Sequence, residues 1–138
     1  MTPDAVYTQS PGPLGDLFQS IGVSHAAKVP LGGHLVVTGG QPGFDLTTGT
    51  LVTSSIRDEA EACLDCVEAA LKSAGVQKGL AGAHKFTAYL LDFKHDDVLM
   101  EVWRKRQPNH RPAWVTIGVK ELAVTGMHFE ITAEAVLS

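Results

Sequence analysis

At the C-terminal end of the chain, apolar Phe129, Ile131, Ala133, Ala135 and Leu137 alternate with His128, Glu130, Thr132, Glu134 and Val136. That period belongs to a strand with one apolar and one mostly polar face, and it turns Glu130 away from an ordinary core. The preceding segment, Arg111-Pro112-Ala113-Trp114-Val115-Thr116, also reads as a strand, with Trp114 expected on the same second face as Glu130. Leu35-Val36-Val37, bounded by Gly32-Gly33 and Gly39-Gly40, reads as a short buried strand ending in a tight turn. The aromatic and apolar content of residues 83–91 predicts another strand.

Two segments carry the helical period instead. Ala60, Cys63, Leu64, Val67, Leu71 and Ala74 form one apolar stripe; Ser54 or Ser55 can cap it, Asp58 and Glu59 suit its first turn, and Lys72 and Gly75 close it. Val98, Leu99, Val102 and Trp103 mark a second helix, stopped by Gln107-Pro108. Residues 1–22 are rich in Pro, Gly and Ser and read as an irregular lead-in. The order β-β-α-β-α-β-β predicts a single α+β domain over residues 1–138, with helices on one sheet face. The other face, expected to carry Val36, Thr38, Trp114, Thr116 and Val136, calls for a cover, and a closed ring of identical chains supplies one.

Composition narrows the function classes. With 138 residues, 44% hydrophobic and 19% charged, the chain suits one globular core. Its net charge is −4, and its longest basic run is Arg104-Lys105-Arg106, so a nucleic-acid partner is not expected. Neither a signal-peptide pattern nor a stretch of about 20 apolar residues is present. These features predict a soluble, cytoplasmic protein. Cys63 and Cys66 form a C-x-x-C, but inside a helix and without a second pair they read as packing residues rather than a redox or zinc site. His84, His95 and His110 show no metal-ligand spacing, and no metal or cofactor is implied.

Several motifs occur together and in order: Leu35-Val36-Val37-Thr38-Gly39-Gly40-Gln41, Asp45-Leu46-Thr47-Thr48-Gly49, Leu71-Lys72-Ser73-Ala74-Gly75, Lys85-Phe86-Thr87-Ala88-Tyr89-Leu90-Leu91-Asp92, Pro112-Ala113, and Glu130-Ile131-Thr132-Ala133. In this the chain resembles the Rid family, also called YjgF/YER057c/UK114. The resemblance implies a chorismate mutase-like fold, a homotrimer and pockets between subunits. Family members that deaminate reactive imines and enamines hold the substrate carboxylate with an Arg just after Pro-Ala. A Glu in the last strand positions water, and backbone at a Ser-Gly turn cradles the substrate. Glu130 and Gly40 match the second and third features, but the Arg position is Trp114. The family's N-terminal aromatic is also missing, since the chain reads Ile21-Gly22-Val23-Ser24-His25, and Thr116 stands where active members often carry Cys.

Losing one partner of a buried ion pair costs roughly 3–5 kcal/mol, about 100- to 1000-fold or more in binding. The substrate expected from these residues is therefore a flatter, more apolar enamine, imine or enol rather than a simple 2-imino acid. Glu130 and His128 are the catalytic candidates, as base and helper. Gly39, Gly40, Gln41, Trp114, Thr116, Tyr89 and Arg111 are the candidates for substrate binding. Arg111 is a substitute clamp only if the chain bends around Pro112. The same apparatus suits isomerisation, cyclisation or elimination. A non-catalytic trimeric ligand-binding protein or chaperone is the other class, and ribonuclease activity fits an acidic chain least.

Overall fold

The computed structural model describes residues 5–137, so the first four residues of the lead-in and Ser138 lie outside the described residues. Strands β1 (Val6–Thr8) and β2 (Ala26–Lys28) form a small antiparallel ribbon, with helix α1 (Pro13–Ile21) between them. The main sheet contains β3 (His34–Val37), β4 (Gln41–Pro42), β5 (Ala83–Leu90), β6 (Ala113–Gly118) and β7 (Phe129–Leu137). Its order is β3-β7-β5-β6, with β4 also paired to β7. Among the described strand pairs of this sheet, β5–β6 is parallel and the rest are antiparallel.

Helices α2 (Ile56–Ser73) and α3 (Asp96–Arg106) carry much of the core on one sheet face. Phe86, Leu90, Phe129 and Ile131 meet Leu64, Leu71, Leu99 and Trp103 there, all fully buried. Ser55 caps α2 by accepting a hydrogen bond from Asp58 N at 3.0 Å. Gly75, at φ 97°, supplies the left-handed residue just beyond its end. Arg106 ties α3 to α2 through Glu61, Asp65 and Glu68. The two thiols pack as expected: Cys63 Sγ and Cys66 Sγ donate to the Gln41 and Phe44 carbonyls, and burial pushes both thiol pKa values up.

The lead-in is not irregular throughout. Pro13 starts α1, where its missing N–H costs nothing, and Gly22 ends it in the left-handed conformation. Of the residues expected on the uncovered face, Val136 lies there beside exposed Leu35, but the others do not. Val36 and Thr38 are buried on the core side, whereas Leu35, Val37, Val115 and Ile117 are 61%, 61%, 47% and 40% exposed. The apolar triplet in β3 has no alternation to fix its phase; pairing with β7 fixes it by setting Val36 opposite Ala135.

His110 is a structural histidine. Its Nε2 donates to the Ala83 carbonyl at 2.6 Å, and its ring meets Tyr7 edge-on at 5.1 Å. Burial lowers its pKa, opposed by the Ala83 bond and assisted by the Arg111 charge. The unfolded chain therefore binds the proton more readily, so this contribution is present above about pH 6.5 and is lost as pH falls through the depressed folded value. Thermal midpoints measured from pH 7.5 down to 5 should fall for the wild type and fall less for His110→Asn; equal slopes would refute this role.

Candidate active site

Pairing fixes which side chains share a face. Glu130 lies opposite Tyr89 on β5 and Pro42 on β4, and alternation turns it to the uncovered side with Thr132, Thr87 and Lys85. Its carboxylate lies over the turn that ends β3. A Cβ built on Gly40 would sit 2.6 Å from Glu130 Oε2 and 2.7 Å from its carboxyl carbon, so this approach requires glycine. Gln41 donates from its amide to the Gly39 carbonyl at 3.3 Å. Gly39, Gly40, Gln41, Tyr89 and Glu130 thus form one neighbourhood.

Trp114 does not join it. In the parallel β5–β6 register Trp114 pairs with Phe86, whose side chain belongs to the helix-covered face. The indole stacks on Phe86 at 5.1 Å and meets Trp103 at the same centroid distance. The expectation that Trp114 and Glu130 share a face is therefore corrected: within one chain they lie on opposite sides of the sheet.

His128 is likewise redirected. It precedes the first residue of β7, so the strand's alternation does not govern it. Glu59 of α2, only 2% exposed, accepts from the His128 backbone N–H at 2.6 Å and pairs with its Nδ1 at 2.7 Å. That contact turns the imidazole toward α2 rather than toward Glu130. Arg111 is engaged elsewhere as well, donating to the backbone carbonyls of Gln19, Pro108 and His110. It does not stand in for a carboxylate clamp.

The residues around Trp114 form a second feature that the sequence reading missed. A cleft of about 610 Å³ opens between α1, α3 and β6, with Phe18, Phe93, Met100, Trp114, Thr116 and Asp96 among its walls. Trp114 Nε1 donates to Thr116 Oγ1 at 2.9 Å, and the Thr116 hydroxyl interacts in turn with the Asp96 carboxylate. Burial raises the Asp96 pKa; Thr116 opposes that shift and Asp97 adds to it. Asp96 Oδ1 is enclosed without a hydrogen-bond partner. The spacing of Leu14, Leu17, Phe18 and Ile21 after Pro13 was the available signal for the helix that forms one wall.

A mixed sheet backed by helices on one face is the α+β fold of Rid proteins. The sequence family described as endoribonuclease L-PSP matches residues 22–137, and the chain belongs to this Rid/YjgF family. A RutC family protein of Pyrococcus abyssi is 27% identical over 123 residues, covering 88% of each protein. A 2-iminobutanoate/2-iminopropanoate deaminase of Dermatophagoides farinae is 26% identical over 113 residues, covering 82% of this chain and 80% of that one. In structure, the Rid protein YyfB of Yersinia pestis superposes with a TM-score of 0.81 at 18% identity, covering 98% of this chain and 100% of that one. No helix among the described residues is long and apolar enough to cross a membrane.

Proposed function

We propose that the chain is a Rid-type small-molecule enzyme that hydrolyses a reactive enamine or imine other than a simple 2-imino acid. The observation that carries this reading is the half-buried Glu130 carboxylate held over the Gly39-Gly40 backbone. In the reaction, an enamine first tautomerises to the imine. Glu130 then takes a proton from water as the water oxygen bonds to the imine carbon and the C=N π bond opens. It passes that proton to the nitrogen to give a carbinolamine, whose hydroxyl proton Glu130 next carries to the departing nitrogen. Cleavage of the C–N bond then releases ammonia and leaves the carbonyl product. Deaminase chemistry in a relative supports the reaction class, and Trp114 at the position of the family's carboxylate-binding Arg supports the change of substrate.

The two halves of this site meet through assembly. Exposed Leu35, Val37, Val115 and Ile117 give the uncovered sheet face an apolar surface suited to a homotrimer, the assembly typical of the family. A neighbouring copy then brings its Glu130 and Gly40 to the Trp114 cleft. Ammonia release from enamines lacking a carboxylate should exceed that from 2-imino acids at least about 10-fold in kcat/KM, a conservative share of the anchor loss above. Light scattering on the same sample should give the mass of three chains. Release no faster than without protein, or a monomeric mass, would overturn the proposal.

A further inference from the structure

The cleft differs from a carboxylate-binding pocket in charge as well as in shape. Its charged lining consists of Asp96, Asp97 and Glu101 against the single cation Arg104. Arg104 Nη1 donates to the neutral Ile21 carbonyl at 3.2 Å and keeps its charge, which acts on Asp96. Glu101 is paired with Arg57 at 3.0 Å and Lys105 at 3.4 Å, so Asp96 and Asp97 carry the negative balance. A carboxylate entering here would meet Asp96 and Asp97 against the one guanidinium of Arg104, a net negative lining. An organic cation would meet a carboxylate and the faces of aromatic side chains, both of which attract it.

The Asp96 position is built rather than incidental. Thr116 Oγ1 accepts from Trp114 Nε1 at 2.9 Å, which leaves the Thr116 proton for Asp96. The Trp114–Thr116 bond holds these two side chains together at one end of the cleft, beside Asp96. Trp114 is itself fixed from behind by Phe86 and Trp103, so its ring is a rigid wall. Asp96 is half-buried: its Oδ1 is enclosed, and the rest of the side chain lines the cleft. Phe18 and Phe93 supply aromatic surface from α1 and from the turn before α3.

We infer that the cleft binds a flat organic cation, such as an aromatic amine, amidine or iminium, with Asp96 as the specificity-determining residue and Trp114 as the stacking wall. This inference rests on the reading of the cleft as the substrate-binding half of the proposed site, and it concerns binding alone.

Benzamidine, benzamide and benzoate share one shape and differ in charge, so calorimetric titration of the full chain with all three isolates the inferred preference. Benzamidine should bind at least about 10-fold more tightly than benzamide, the worth of one charge-assisted contact, and benzoate should bind most weakly. Asp96→Asn, which retains an acceptor for Thr116, should reduce benzamidine affinity to that of benzamide while the circular dichroism spectrum stays unchanged. Trp114→Phe should weaken all three probes, benzamidine most because it also loses part of its cation–π contact, with benzamidine still the tightest of the three. Benzoate binding as tightly as benzamidine, no benzamidine binding, or a folded Asp96→Asn variant with unaltered affinity would each overturn the inference. Cation preference without ammonia release would count against the hydrolysis reading alone, whereas ammonia release with benzoate preference would count against the cation reading alone.

Discussion

Turnover by Glu130→Gln should fall by roughly 100- to 10 000-fold, the range for loss of a positioned general base, with the thermal midpoint nearly unchanged. Glutamine has the same length and can occupy the space over Gly40, but its amide cannot take a proton from water. The geometry leaves little room for a rescuing group, because the carboxylate lies where even a methyl on Gly40 would collide. Glu134→Gln is the informative control. Glu134 lies on the same strand face, 3.4 Å from His84, and away from the Gly39-Gly40 turn. Its loss should leave kcat within about 2-fold, because it does not touch the glycine turn under Glu130, although losing its pairing with buried His84 lowers the thermal midpoint. Equal rates for wild type and Glu130→Gln would end the catalytic reading of Glu130.

The strength of a sequence signal followed its phase. In β7, apolar and polar residues alternate from Phe129 to Ala135, and the side to which Glu130 points follows from that alone. In β6, Trp114, Val115, Thr116 and Ile117 are all compatible with either face, so periodicity identifies a strand without saying which side is inward. Phase there is set from outside the segment, by the pairing of Trp114 with Phe86. His128 shows the complementary error of extending an alternation one residue beyond its strand, where Glu59, 69 positions earlier, captures the side chain. Helix α1 was hidden by the composition of its surroundings, although Pro13 and Gly22 stand at its two ends as start and stop residues. The cleft was beyond local patterning, because α1, α3 and β6 come together only in the fold.

Those tertiary contacts converge on Trp103. Trp103→Ala should destabilise the fold by about 3–5 kcal/mol, the usual cost of emptying a buried tryptophan site. For a chain of this size that corresponds to a fall of roughly 10–20 °C in thermal midpoint. The side chain is fully buried, and its Nε1 donates to the Gly22 carbonyl at 3.2 Å, fastening α3 to the end of α1. Its ring meets Phe86 at 4.9 Å and Trp114 at 5.1 Å, so it also backs the wall of the cleft. Trp103→Phe keeps much of the volume but leaves the Gly22 carbonyl without this donor, and should cost about 1–3 kcal/mol. The contact with Trp114 adds a second, independent reading: Trp103→Ala and Trp114→Ala should combine non-additively by at least about 0.5 kcal/mol in chemical denaturation. A strictly additive pair would mean that Trp114 is held by Phe86 and Thr116 alone. A midpoint shift of only a degree or two in Trp103→Ala would mean that α1 and α3 are joined by something other than this indole.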